Sequence, residues 1–288
     1  MIVIYLLTKK CNCNCEFCLN TWKNSEINET ENKFLIIDKI KEATDFLVLS
    51  GGEPFECPEI LDLIDHAYSL GMKIIIQTNG ININEKIISK IKNKVVAVQV
   101  SLEGLEKEHN RLTHGNFKKS FEAIKLLKKS GIMTMTNFTI TKKNYFSVEE
   151  YVKMLDELAI DTANFTMLYH SGKALINLKE LEMNKKEMKW FCEKLSKIKT
   201  KNTLIKIQSP LPEEYKMQCA GCNACRNEIA VQPNGDVTPC PSSRLILGNI
   251  IKENLNEILG KEISIKIQKV NKGTKCLIQD LNRINLFK

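Results

Sequence analysis

Ile2-Val3-Ile4-Tyr5-Leu6-Leu7-Thr8-Lys9-Lys10-Cys11-Asn12-Cys13-Asn14-Cys15-Glu16-Phe17-Cys18 is an apolar run that passes directly into a loop crowded with cysteines. The apolar part, rich in β-branched residues, reads as a strand. The loop after it carries the spacing Cys-x3-Cys-x2-Cys at Cys11, Cys15 and Cys18. In parallel α/β folds ligands bind at the carboxyl ends of the strands, so thiolates placed there stand at a functional face. Three thiolates can hold three irons of a cubane cluster and leave the fourth iron without a protein ligand, the logic that separates an open metal site from a closed one. The competing reading is a zinc knuckle with Cys13 as fourth ligand. One-residue gaps between neighbouring thiols suit tetrahedral zinc poorly, so Cys13 reads as a bystander.

Outward from this loop the pattern repeats. Apolar runs at 46–49, 73–77, 95–100, 133–140 and 163–168 alternate with amphipathic helix patterns at 34–43, 59–70, 84–91, 118–129 and 148–158. Strict alternation predicts an α/β protein with a parallel sheet and right-handed crossovers. Six strands predict a partial (β/α)6 barrel, not a complete eight-stranded one. A long helix at 185–198 ends the alternation. The two prolines of Gln208-Ser209-Pro210-Leu211-Pro212 mark a boundary, since proline breaks helix and strand alike. The expected division is a barrel over 1–207 and a small cysteine-rich domain over 208–288. In the second, 228–232 and 237–238 flank Pro233-Asn234-Gly235-Asp236 and predict a β-hairpin, with a helix at 253–259.

The 288 residues are 43% hydrophobic and 26% charged, a globular composition without a case for extended disorder. Apolar runs such as Ile74-Ile75-Ile76 fall far below the roughly 18 residues that span a bilayer. Lys9 and Lys10 follow the first strand with no small-residue cleavage site, so the start is not read as a signal peptide, and the cytoplasm is the expected location. Forty-two Lys and Arg against 34 Asp and Glu leave +8, spread along helix faces such as 118–129. A basic block interleaved with aromatics is missing, which argues against a nucleic-acid partner. The 11 cysteines are an odd number grouped towards both ends. In a reducing compartment that points to metal, and soft thiolates select zinc or iron-sulfur clusters.

The cysteine loop, with aromatic Phe17 just before the third cysteine, resembles that of the radical S-adenosylmethionine (SAM) superfamily. Further segments at successive strand ends carry the resemblance. Ser50-Gly51-Gly52-Glu53-Pro54 is similar to the family's GGE-type motif, which binds the SAM amino group, and its glycines allow close backbone approach. Gln77-Thr78-Asn79-Gly80 ends the third strand. Ser101-Leu102-Glu103-Gly104 with His109-Asn110 resembles the family's SLDG and HD segment, Glu103 and Asn110 standing in for the commoner aspartates. The resemblance covers roughly residues 1–200. It implies a 4Fe-4S cluster on Cys11, Cys15 and Cys18 and SAM contacts from Phe17, Gly51, Gly52, Glu53, Pro54, Asn79, Ser101 and Asn137. It also implies reductive cleavage of SAM to a 5'-deoxyadenosyl radical that abstracts hydrogen from a substrate, with a reduced flavodoxin or ferredoxin as electron donor.

Near the end, Cys219, Cys222 and Cys225 are followed by Gly235, Cys240 and Leu247-Gly248-Asn249-Ile250. This resembles the opening of the SPASM or twitch domains of radical SAM enzymes, which carry auxiliary 4Fe-4S clusters. Only Cys276 remains downstream, so one auxiliary cluster in a shortened, twitch-like domain is expected, held by Cys240 and three of Cys219, Cys222, Cys225 and Cys276. Four thiolates close a structural zinc site as readily.

Cys57 and Cys192 read as buried small hydrophobes. His66 and His170 read as structural, while His109 and His114 lie near the SAM-side loop. Tyr169, His170 and Lys173 follow the sixth strand, where substrate contact is expected from position alone. SPASM-like relatives imply a residue in a peptide or protein as substrate. The chain opens on its first strand, so no separate peptide-recognition domain is expected before it. The alternatives are oxidation or decarboxylation of a small molecule or tetrapyrrole, and a non-catalytic zinc-binding protein.

Overall fold

The computed structural model describes residues 1–19, 29–208, 221–270 and 276. Cys219 and most of the proline-marked boundary lie outside them. The expected strands form as β1 (Ile2–Leu6), β2 (Phe46–Ser50), β3 (Lys73–Thr78), β4 (Val95–Ser101), β5 (Met133–Ile140) and β6 (Thr162–Met167). Between them run α1 (Lys33–Lys41), α2 (Ile60–Ser69), α3 (Glu85–Ile91), α4 (Glu106–Thr113), α5 (Phe117–Ser130) and α6 (Val148–Glu157). Neighbouring strands pair in parallel in chain order, as successive crossovers on one side require.

Alternate residues separate the two faces of the sheet. Val3, Tyr5, Leu47, Leu49, Ile74, Ile76, Val98, Phe138 and Phe165 join the helices in the main core. On that side Phe138, Phe165, Tyr151 and Phe191 pack edge-on or tilted, with ring centroids 4.9 to 6.1 Å apart. Ile4, Leu6 and Val48 form a smaller cluster on the other face with Ala230. Asparagines start several helices: Asn84 accepts from Ile87 N, Asn116 from Lys119 N, and Asn184 forms a capping box with Glu187 on α9 (Lys185–Lys197). Each satisfies amides that a helix start leaves open.

Three features differ from the sequence expectation. Glu106–Thr113 is a helix, where the sequence pattern gave a loop, because its polar residues face solvent and only His109, Leu112 and Thr113 are buried. Two short helices, α7 (Gly172–Ile176) and α8 (Leu178–Leu181), follow β6. The alternation does not stop after α9: β7 (Leu204–Ile207) pairs in parallel with β6 at the edge of the sheet. At four residues, one of them Lys206, it offers too short an apolar run to be read as a strand.

The second half of the chain returns to the first. β8 (Glu228–Val231) pairs in parallel with β1, Ile2 opposite Glu228 and Tyr5 opposite Val231. The antiparallel β9 (Asp236–Thr238) and β10 (Gly248–Asn249) continue from it. The turn expected at Asn234-Gly235 closes the hairpin, with Gly235 at φ +87. Among the described residues the result is one ten-stranded sheet in the order β10-β9-β8-β1-β2-β3-β4-β5-β6-β7. The helices α10 (Leu255–Gly260) and α11 (Glu262–Val270) follow, two where one was expected.

Candidate functional site

The cysteine loop leaves the carboxyl end of β1 and is fastened by every neighbouring strand end. Gly52 N donates to Thr8 O at 2.7 Å and Glu53 N to Lys10 O at 2.8 Å. A Cβ on Gly52 would stand 2.1 Å from Lys10 O, and one on Gly51, itself at φ +143, 2.9 Å from Thr8 O. The two glycines thus let the loop after β2 lie directly on the cysteine loop. Asn79 Nδ2 donates to Asn12 Oδ1 at 2.6 Å, tying in the end of β3. Asn14 N and Glu16 N donate to Thr113 O and Leu112 O at the end of α4. From beyond β6, Lys173 N donates to Cys18 O at 2.9 Å and Asn177 Nδ2 to Glu16 O at 2.9 Å. Lys143 Nζ pairs with Glu16 Oε2 at 2.6 Å.

Of the four thiols in this loop, Cys11, Cys15 and Cys18 are half-buried, whereas Cys13 is only 6% exposed. The Cys13 sulfur packs where Gly115 leaves room, 3.0 Å from the position a Cβ would take. Three reachable thiols beside one buried thiol fit a group that takes three thiolates from this loop.

Glu53 is 1% exposed and its carboxylate accepts from Thr78 Oγ1 at 2.7 Å, Asn79 N at 2.7 Å and Phe55 N at 3.1 Å. Burial pushes its pKa up to about 7, against the lowering effect of those bonds. Its carboxylate therefore braces the ends of β2 and β3 together, and Pro54 is buried at the start of the short 3-10 turn Pro54–Glu56. Glu103, at the end of β4, is equally buried, accepts from Thr139 N at 2.5 Å and is pushed by burial up to about 8. His109 Nδ1 accepts from Glu103 N at 3.2 Å, and burial drives the imidazole down to about 4. Asn110 Oδ1 accepts from Phe117 N. These are braces between loops, the part that Glu103 and Asn110 play in place of aspartates. Phe17 packs against Leu112, Leu168, Ala174 and Leu181. Ser101 and Asn137 are register partners on the concave face, and Thr166 Oγ1 donates to Asn137 Oδ1 at 2.6 Å. His170 pairs with Glu182 at 2.9 Å.

The second cysteine group is built at the other end of β1. Cys225 precedes β8, its N–H donating to Glu228 O and Pro239 O, and Cys240 follows β9. Cys240 packs on Ala224 with Cys222 and Cys276 against them. Cys225 belongs to the main core. Burial pushes the Cys225 and Cys240 thiols up to about 12, so thiolates there need a compensating cation, which iron or zinc supplies. Cys57 and Cys192 are buried, and burial raises both thiols to about 11. Among the described residues no three His, Cys, Asp or Glu side chains converge on a single ion, and no helix is long and apolar enough to cross a membrane.

A parallel partial barrel with a three-thiol loop at its ligand face and a second thiol group behind it defines a class of iron-sulfur enzyme. The family model described as the radical SAM superfamily matches residues 5–158, and the chain belongs to that superfamily. A model described as an iron-sulfur cluster-binding domain matches residues 219–278. The cofactors are therefore SAM, a 4Fe-4S cluster and an auxiliary iron-sulfur cluster. An AdoMet-dependent heme synthase of Methanosarcina barkeri is 24% identical over 286 residues, covering 89% of this chain and 81% of the relative. The sporulation killing factor maturation protein SkfB of Bacillus subtilis is 25% identical over 279 residues, 94% of this chain and 67% of the relative. Streptococcus suis SuiB bound to its precursor peptide SuiA superposes with a TM-score of 0.72 at 17% identity, over 92% of this chain and 66% of that one. At that identity the likeness is one of fold.

The sequence reading placed Lys173 beyond β6 as a substrate contact, not as a support of the cysteine loop, and missed Gly172 and Asn177. Gly172, at φ +58, is the clearest: a Cβ there would lie 2.4 Å from Cys18 O. Its signal was a glycine in the segment after β6, five residues beyond Met167, where a close backbone approach is open to glycine alone.

Proposed function

We propose that the chain is a peptide maturase, with Cys11, Cys15 and Cys18 holding the SAM-binding cluster and Cys240 with three of Cys219, Cys222, Cys225 and Cys276 holding the auxiliary one. The observation that carries the substrate class is the concave face of the sheet. It carries a run of amide and hydroxyl side chains, Gln77, Gln99, Ser101, Asn137, Asn164 and Thr166, with Lys206 at its β7 edge. Such groups offer donors and acceptors side by side, which suits peptide groups. The names of SkfB and of the peptide-bound SuiB point the same way.

Cys11, Cys15 and Cys18 would hold the cluster, which together with bound SAM would supply the chemistry of hydrogen abstraction. The chain's own part is positioning: Glu53 and Asn79 lock the loops after β2 and β3, and the Gly51-Gly52 backbone holds the cysteine loop at the barrel mouth. Gly51, Gly52, Glu53, Pro54, Asn79, Phe17, Ser101 and Asn137 would surround SAM. Residues 208–288 would act as the auxiliary-cluster domain, a reduced flavodoxin or ferredoxin would deliver the electron, and the cytoplasm would be the setting.

The test is anaerobic incubation of reduced, reconstituted enzyme with SAM and the short peptides encoded beside its gene. Mass spectrometry should show a modified peptide formed in step with 5'-deoxyadenosine. The heme synthase relative and the +8 charge favour a second substrate class, a tetrapyrrole with its carboxylates. Turnover of iron-coproporphyrin and of no peptide would select it.

A further inference from the structure

Asn164 sits in the middle of β6, 1% exposed, and among the described residues neither its Nδ2 nor its Oδ1 has a hydrogen-bond partner. Its chain neighbours Ala163 and Phe165 lie in the main core, Phe165 against Tyr151 of α6 and Phe191 of α9. Strand alternation therefore turns Asn164 to the opposite, concave face. There it occupies one register row with Ser101, Asn137 and Lys206.

Leaving a buried polar atom unpaired is destabilising, and here a donor and an acceptor on one side chain are left so together. An apolar residue of similar size would avoid that cost, as Ile4 and Val48 do elsewhere on this face. The neighbouring Asn137 already receives the Thr166 hydroxyl, so Asn164 is the member of the row whose amide makes no hydrogen bond at either atom. A carboxylate accepts only and would leave Oδ1 unmatched, whereas a secondary amide presents one N–H and one C=O and matches both atoms.

We infer that Asn164 is a substrate-binding residue whose side-chain amide pairs, by two hydrogen bonds, with a backbone amide of the peptide held in the barrel. This deepens the peptide reading and rests on it.

The probe is N-acetyl-trialanine N-methylamide, titrated into SAM-loaded holoenzyme and followed by calorimetry or saturation-transfer NMR. The variants are Asn164→Leu and Asn164→Ala. Both should weaken the capped peptide by about tenfold or more, the worth of two modest hydrogen bonds. The SAM dissociation constant should move by less than about twofold, and the melting temperature of the Leu variant should equal or exceed that of the parent, because the orphaned amide is gone. If both variants bind the capped peptide as the parent does, the Asn164 amide takes no part in peptide binding and the inference fails while the peptide reading stands. If SAM affinity falls tenfold instead, the amide belongs to the adenosine side and the inference fails. If the parent binds no capped peptide, the peptide reading fails and takes the inference with it.

Discussion

The two cysteine groups stand at opposite ends of the same strand, and they are held there by different means. Cys11, Cys15 and Cys18 follow the carboxyl end of β1 and are fixed by short polar bonds from β2, β3, α4 and α7. Cys225 and Cys240 lie at its amino end and are fixed by a hairpin that joins the sheet through β8. The five residues of β1, at about 3.3 Å each, put roughly 17 Å of strand between the two regions. A site built from loop-to-loop bonds is damaged locally by changing one bond. A site built by docking a hairpin depends on buried apolar area and tolerates polar changes better.

The largest expected effect is that of Gly52→Ala, which drives a methyl group onto the backbone of Lys10. Misplacing the cysteine loop by about an ångström should lower 5'-deoxyadenosine formation about a hundredfold. Iron at the C-terminal group should stay, and chromatography with iron analysis reads both. Cys240→Ser tests the other end: about half the iron should be lost while substrate-independent SAM cleavage persists, measured on anaerobically reconstituted protein. Loss of both functions together would break the separation between the regions.

A smaller effect concerns the braces. Glu103 is held near 8 by burial against an ordinary value of 4.5. A carboxyl group raised on folding contributes stability that is complete below the unfolded value and lost as pH rises through the folded one. The melting temperature should therefore fall from about pH 4.5 to about pH 8 and level off above it, by at least about 2 °C, and Glu103→Gln should flatten that fall. The smallest effect is expected for Cys13→Ala: the buried thiol costs about 1 kcal/mol of packing, and iron content stays at the parent level.

Much of this was legible in the chain. Ile2 to Leu6, Ile74 to Ile76 and Val98 to Val100 alternate or run apolar strongly enough to give six strands, and the helices expected at 84–91, 118–129 and 185–198 form within a residue of those bounds. The Gly51-Gly52-Glu53 and Asn79 segments were found as motifs, but their observed work is partly different. Gly52 makes room for Lys10, and the Glu53 carboxylate reaches Asn79 and Thr78, contacts between segments that no local pattern records. Lys206 hid β7 because an edge strand needs apolar residues on one face only. The docking of β8 on β1 and the unmatched amide of Asn164 depend on which strands become neighbours, which the parallel order of the whole sheet decides.

The central claim is that two separate clusters occupy the two ends of β1. Iron per chain, after anaerobic reconstitution of a variant with Cys11, Cys15 and Cys18 all changed to Ala, tests it most directly. About four irons should remain, the content of one cubane, with no SAM cleavage. Almost no iron, or zinc in its place, would contradict it and leave the C-terminal cysteines as scaffolding.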